Sequence, residues 1–278
     1  MEWLDRMISV MDIISEKSVE GIGITELSKQ TLISKGTLHR MLKNMVEHKL
    51  LTQDAVTKRY MLGPKSMLWG SEFLRNQDPT GLLTQYCNEI GNKTNLYSYI
   101  CRFQSNQVYC TYTHQPSDVR HKYFVHLGQR MPLHCTSAAK AILAYQPPNL
   151  VDGLLQKEDL MKYTEYTKQD IELIKKELSE IRQDGIAFCN QELEVGVYAM
   201  SVPLFHENHK TAISLSLVGE CQYIQENRMQ FIKELKNISE QASEHLISMN
   251  LLSSNRILEK KNSKNKSEKR GGKNNGII

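Results

Sequence analysis

The sequence predicts an α+β protein in two parts: a winged helix-turn-helix, then, after a linker helix, an antiparallel sheet flanked by helices. Three observations carry this. The first sixty residues hold three short amphipathic stretches followed by two apolar runs around a polar turn. Beyond residue 80, period-two runs come in adjacent pairs with helical stretches before and after them. The 278 residues also exceed the ~100–150 of a usual single domain.

In the first part, Leu4, Met7, Ile8, Met11 and Ile14 recur at three- and four-residue steps, one apolar helical stripe. After the turn SVEGIG, Thr25 is read as the cap of a short helix, ELSKQ, with Leu27 pointing inward. A link, TLI, leads to SKGTLHRMLKNMVEHKLL, where Ser34 is an N-cap and Leu38, Met41, Leu42, Met45 and Val46 form the buried face. Lys35, Gly36, His39, Arg40 and Lys43 lie opposite. LLTQDAVTKRYMLG, with Lys58 and Arg59, reads as a β-hairpin wing. A three-helix bundle making protein contacts is the alternative; the short second helix, the basic face and the wing favour DNA.

From Pro64, PKSMLWGSEFLRNQDP places Met67, Leu68, Phe73 and Leu74 on a stripe ended by Asp78 and Pro79, a linker helix. LLTQYCNEIGNKT is helical, and LYSYICRF, QVYCTYTH and YFVHL alternate as strands around the turn QSNQ. PLHCTSAAKAILAYQ precedes a helix, DIELIKKELSEIRQDG, with Ile171, Ile174, Leu178 and Ile181 on one face. The strands VYAMSVPLF and TAISLSLVG join through HENHK, and a long helix from about Asn227 to Asn250 closes the domain. The expected divisions are a DNA-binding domain over 1–63, a linker over 64–80, a second domain over 81–252 and a tail over 253–278.

A 40% apolar and 24% charged composition is that of a globular protein, with no apolar run of ~18 residues to span a bilayer. The N-terminus MEWLDRMISVMDII carries acids and no small-residue cleavage site, so a cytoplasmic protein is expected. The six cysteines are scattered without a C-x-x-C pair, which points to reduced core thiols, no zinc and no cofactor. Of the net +4, the segment from Arg256 onward supplies eight Lys or Arg against two Glu, so a body of −2 carries a basic tail. That tail has too few large apolar residues to offset its ordering entropy and is expected to stay disordered; it is a solubilising end or an added attraction to phosphates.

PLHCTSAAKAILA, residues 132–144, is the one stretch that looks catalytic. Ser137 and Lys140 match the S-x-x-K of serine acyl-transfer enzymes, and His134 with Cys135 suggests a thiol and its base. The companion elements fail: Lys210-Thr211-Ala212 lacks the glycine of K-T-G, and Ser117-Asp118 comes before the tetrad and is followed by Val. Adjacent His and Cys on a strand would point to opposite faces. A binding site needs less. A helix opening at Thr136 or Ser137 would turn the amides of Ser137, Ala138 and Ala139 toward a carboxylate, and Ser214 and Ser216, two apart, would face one side of their strand.

ITELSKQTLISKGTLHRMLKNMVEHKLL followed by KRYMLG resembles the N-terminal domain of the IclR family of bacterial transcriptional regulators. Thr31-Leu32 stands where that family has Gly-Leu, and Gly36-Thr37 where it has Ser-Thr. Gly36 costs ~1 kcal/mol of helix propensity relative to Ala. GQRMPLHCTSAAKAILA resembles the family's G-x-x-x-P-L-H-x-T-x-x-G-K-A-x-L-A, with Ala139 in place of a glycine, and DGIAFCNQELEVGVYAMSVPLF resembles its second signature. The likeness spans roughly residues 1–250.

The resemblance implies a GAF-like second domain with a ligand cavity, and a homodimer or homotetramer on a double-stranded DNA operator, a repressor or an activator modulated by a small-molecule carboxylate. It places Thr25, Ser34, Lys35, Thr37, His39, Arg40 and Lys43 toward DNA, with Lys58 and Arg59 on the wing. Arg40 is the candidate base reader, since a guanidinium engages guanine at two atoms. Carried over by position, Ser137, Ala138, Cys189, Ala199, Ser214 and Ser216 line the effector site, beside the amide of Ala139. IGITELSKQTLISKGT is similar to family members that answer sugar acids from pectin breakdown. The alternatives are a GAF-like sensor or interaction module that binds no DNA and, further off, the acyl-transfer enzyme.

Overall fold

In the computed structural model the described residues are 2–17, 20–76, 81–117, 125–207 and 210–248; side chains at 206, 207 and 210 are outside the description. The chain divides into two compact units, Met1–Pro79 and Thr80–Ile278.

The first unit opens with α1 (Trp3–Glu16), α2 (Ile24–Thr31) and α3 (Lys35–Glu47). The stripe expected on α1 is only partly buried: Ile14 is sealed and Met7 and Met11 are half-buried, whereas Leu4 and Ile8 are exposed and Val10, outside the stripe, is sealed in their place. α2 begins at Ile24 with Gly23 as N-cap, so Thr25 lies within the first turn and does not cap it. Its C-terminus is closed without a glycine. The Thr31 hydroxyl donates to Leu27 O at 2.7 Å and accepts from Ile33 N, Ser28 Oγ donates to Ile33 O, and Leu32 takes the left-handed conformation at φ 58°.

Ser34 caps α3 by accepting from Thr37 N, and Leu38, Met41, Leu42 and Met45 meet Val10, Ile14 and Leu27 in one core. The wing is β1 (Leu51–Gln53) paired antiparallel with β2 (Tyr60–Leu62), its turn held by Asp54, which accepts from the amides of Val56 and Thr57. Those bonds hold the Asp54 carboxyl below its usual range. α4 (Pro64–Arg75) follows, and Met67, Leu68, Trp69 and Phe73 on it are exposed. The expected stop at Asp78 and Pro79 lies outside the described residues.

The second unit is a six-stranded antiparallel sheet in the order β5-β4-β3-β8-β7-β6, made of β3 (Tyr97–Gln104), β4 (Gln107–His114), β5 (Arg130–Met131), β6 (Ala187–Asn190), β7 (Val197–Glu207) and β8 (Lys210–Glu220). The strand expected at YFVHL is absent from its described part: Val125 to Leu127 is loop and turn, residues 123 and 124 lie outside the description, and Arg130–Met131 forms the edge instead. A glycine at 128 in the left-handed region, φ 82°, turns the chain there, and Gly128 N bonds Cys110 O.

Strand alternation gives the sheet two cores. One face carries Ile100, Met200, Leu215 and Leu217 against α5 (Leu82–Thr94), α9 (Cys221–Glu226) and the last helix, residues 228–248. The other carries Tyr97, Tyr99, Cys101, Ala199 and Val218 against α6 (Ser137–Leu143), α7 (Pro148–Leu155) and α8 (Ile171–Asp184). α8 is capped by Asp170, which accepts from the amides of Glu172 and Leu173, and stopped by Gly185 at φ 71°. Ile174, Leu178 and Ile181 are its buried face. The long closing helix runs over 228–248 with α9 before it; its expected end at Asn250, like the tail 253–278 and part of HENHK, lies outside the described residues.

Candidate DNA face and effector cavity

On α3 the apolar stripe faces the core, so Lys35, His39, Arg40 and Lys43 are left exposed on the other side. Lys43 reaches Glu47 at 3.9 Å, an exposed pair that water screens. Thr37 is half-buried and its hydroxyl accepts from Ser34 Oγ at 3.0 Å, so both residues are tied to the N-cap. Thr25 is exposed on the first turn of α2. On the wing the two basic residues differ. Lys58 is exposed at φ 57°, whereas Arg59 donates from Nε to Gly21 O at 3.1 Å and lies 3.8 Å from Glu26. Arg59 therefore braces the wing against the entry to α2.

A cavity of about 270 Å³ opens above the sheet beside the start of α6. Its floor is Tyr99, Ala199, Val218 and Cys189; Met131, Thr136 and Ser137 close one side, and Leu193, Glu194 and Val197 the other. Val125, Gln129 and Tyr163 complete it. Of the residues expected here, Ser137, Cys189 and Ala199 line the cavity. Ala138 and Ala139 are fully buried in α6, and Ser214 and Ser216 lie deeper in the sheet, outside the lining.

Behind the floor runs a chain of hydroxyls. Ser201 Oγ bonds Ser137 Oγ at 2.8 Å and Ser216 Oγ at 2.7 Å, and the Tyr99 hydroxyl is hydrogen-bonded with both Ser137 and Ser216. Burial pushes the Tyr99 phenol well above its usual value, so it stays protonated. Ser216 thus reaches the cavity only through Ser137 and Tyr99. Ser214 Oγ is buried without a partner among the described residues.

Lys140, the lysine of the S-x-x-K match, is the centre of a buried charge cluster. Its Nζ is fully excluded from water and bonds Glu177 Oε1 at 2.8 Å and Glu192 Oε1 at 2.7 Å, while Lys168 takes Glu177 Oε2 at 2.8 Å. Burial alone would lower the Lys140 ammonium, but Glu192 and Glu177 outweigh it and hold it above the usual value. The two carboxylates diverge. Burial raises both, yet Lys140 and the second lysine bring Glu177 below its usual range, whereas Glu192, with Oε2 unpartnered among the described residues, stays above.

The same cluster fixes the cavity wall, because Glu192 immediately precedes Leu193 and Glu194. The Thr164 and Thr167 hydroxyls bond the carbonyls of Gln191 and Glu192 at 2.7 and 2.6 Å from the other side. A lone lysine among SAAKAIL was the available signal, since a charge on an otherwise apolar buried helix requires partners. Tyr99 was signalled by its position between Tyr97 and Cys101 on one strand face.

The geometry leaves no room for an acyl-transfer centre. Ser137 is bonded to another serine, and the Lys140 ammonium is held by two carboxylates. His134 Nε2 bonds Met161 O at 3.1 Å, and burial depresses its basicity; burial also pushes the Cys135 thiol far up, away from thiolate.

Residues 4–55 match the IclR helix-turn-helix domain and residues 74–244 the bacterial transcriptional regulator IclR C-terminal domain. The HTH-type transcriptional regulator KdgR of Dickeya chrysanthemi is 26% identical over 230 residues, covering 81% of this chain and 75% of that protein. XynR of Escherichia coli K12, also an HTH-type transcriptional regulator, is 26% identical over 226 residues, 77% of this chain and 84% of its own length. The crystal structure of an IclR homologue from Microbacterium hydrocarbonoxydans in complex with 4-hydroxybenzoate superposes with a TM-score of 0.71 at 17% identity, over 89% of this chain and 100% of that one. With both domains matched, the chain belongs to the IclR family of DNA-binding transcriptional regulators, not to the enzymes.

Proposed function

We propose that α3 enters the major groove of an operator, with Arg40 reading a base edge, Lys35, His39 and Lys43 beside it, Ser34 and Thr37 at the helix start, Thr25 on the neighbouring backbone and Lys58 on the wing. The observation that carries this is the exposed basic face of α3 set opposite its sealed apolar one. Arg59 acts by holding the wing in place. The chain works in the cytoplasm as a regulator of transcription. No helix among the described residues is long and apolar enough to cross a membrane. Trp3, Leu4 and Ile8 on α1 and Met67, Leu68 and Trp69 on α4 are exposed in the single chain, apolar surface that a second copy would cover in a homodimer or homotetramer.

The cavity takes a small carboxylate, with Ser137 as its donor and Cys189 and Ala199 against the ligand's body. It favours one arrangement of the DNA heads through unequal affinity for the two states. The similar Microbacterium protein is described with 4-hydroxybenzoate bound. Fluorescence anisotropy on duplexes selected from a random pool, across a salt series, tests the DNA face. Arg40→Ala is expected to relax preference at one base position, and Lys35→Ala to weaken all sequences alike and reduce the salt slope by ~1. Unchanged preference in the first and unchanged slope in the second would refute the placement of α3.

A further inference from the structure

We infer that the ligand of this cavity has a compact apolar body, aromatic or branched aliphatic, carrying a single acid group, and is not a polyhydroxylated sugar acid. This rests on the reading of the second domain as a small-carboxylate receptor and departs from the sugar-acid expectation raised by the helix-turn-helix sequence. The carrying observation is what the walls offer. Val125, Met131, Leu193, Val197, Ala199 and Val218 turn hydrocarbon inward from both sides and the floor.

Two of the polar side chains among them already have a bond within the protein. Gln129 Oε1 accepts from His126 N at 3.0 Å, and the Thr136 hydroxyl donates to Pro132 O at 2.7 Å. The Tyr99 hydroxyl belongs to the buried serine chain, and Ser137 Oγ accepts from Ser201 there, which leaves its own hydrogen for the acid group. Among the described residues no Lys, Arg or His lines the cavity, and Lys140 behind it is held by Glu177 and Glu192. For the ligand's body there remain the Gln129 amide nitrogen, the Tyr163 hydroxyl, the Cys189 thiol and, at the rim, Glu194, which repels further negative charge. Burial pushes the Cys189 thiol up to about 11, so it is a neutral, weak donor.

A sugar acid carries a hydroxyl on nearly every carbon, and most of them would leave water for the hydrocarbon of Val125, Met131, Leu193, Val197, Ala199 and Val218. An apolar acid needs only one polar anchor, and the hydrocarbon walls match its body. At about 270 Å³ the cavity also lies just below the ~300 Å³ at which pockets begin to take drug-sized ligands, which limits the body to a single ring or a short branched chain.

The test is a titration of the purified full chain by calorimetry and thermal shift with benzoate, cyclohexanecarboxylate, D-gluconate, D-xylonate and benzyl alcohol. Benzoate or cyclohexanecarboxylate is expected to bind saturably and raise Tm, at least tenfold tighter than either sugar acid. Leu193→Asp, at a partly exposed wall position, should weaken that binding tenfold or more, while Leu193→Met, with an unliganded Tm like that of the wild type, retains it. Sugar acids binding as tightly as, or more tightly than, the apolar acids would overturn the apolar-body inference and leave the carboxylate reading standing. Binding of benzyl alcohol alone, or of none of the five, would overturn both.

Discussion

Replacing Lys140 with Met tests the charge cluster behind the cavity most directly. Methionine occupies much of the lysine stem, so the change removes the charge and leaves the packing of α6 nearly intact. Glu177 keeps Lys168 at 2.8 Å, but Glu192 loses the ammonium at 2.7 Å and has no other ion pair among the described residues. Removing one partner of a buried pair costs about 3–5 kcal/mol. For a domain of this size, ~2–4 °C per kcal/mol lowers its transition by roughly 6–20 °C.

Both tryptophans, Trp3 and Trp69, lie in the first unit, so indole fluorescence would miss the event; scanning calorimetry of the second transition is the assay. Adding Glu192→Gln to Lys140→Met is expected to restore most of the loss. The pH dependence has a defined sign. A carboxyl whose folded pKa is raised contributes stability below its unfolded value of ~4.3 and loses it as pH rises through the folded value. The deficit of Lys140→Met is therefore largest at neutral pH and narrows toward acid. In the wild type Lys140 is raised, so its contribution persists through neutrality and fades only as pH climbs through its folded value. A cost below ~1 kcal/mol, or a double variant no better than the single one, would refute the ion-pair reasoning.

Leu32→Gly is expected to stabilise the first unit by about 0.5–1 kcal/mol. It relieves the left-handed penalty of ~1–2 kcal/mol at φ 58°, offset in part by glycine's entropy. The side chain is 91% exposed, so little packing is lost; urea unfolding followed by tryptophan fluorescence measures the change, and a destabilised variant would show that the leucine has a contact of its own. Gly91→Ala should cost about 1–3 kcal/mol in calorimetry, because a Cβ there would stand 2.5 Å from Ser98 Oγ and 2.7 Å from His114 Cδ2; an unchanged transition would mean that α5 can lift off β3 freely.

What was legible in the sequence follows from which forces are local. The face of α3 was readable because Leu38, Met41, Leu42 and Met45 recur at the helical period and one solvent boundary sorts them from Lys35 and Arg40. α8 was readable for the same reason, with Asp170 and Gly185 marking both ends. The stripe on α1 misled because periodicity reports that a face is apolar and not what covers it: Leu4 and Ile8 remain open in the single chain. YFVHL misled because alternation is a weak signal at a sheet edge, where a two-residue strand suffices and Gly128 directs the chain into it. Thr25 shows that a residue with capping ability does not cap when the chain can enter the helix two residues earlier through Gly23.

The site was legible only where neighbours in sequence remain neighbours in space. Ser137 was found because it opens a helix, and Cys189 and Ala199 came through the family signature; all three line the cavity. Ser214 and Ser216 do face one side of their strand, yet the register that pairs Ser216 with Tyr99 and Ser201 places two hydroxyl-bearing side chains ahead of it. Register is long-range information, so spacing alone could not reveal that a serine correctly assigned to the cavity face stands behind its floor. Lys140 makes the same point through charge. Its partners Glu177 and Glu192 lie 37 and 52 residues away. The chemistry of S-x-x-K was therefore decided by two carboxylates on distant elements, which hold the lysine in place and bind it to the wall that shapes the ligand.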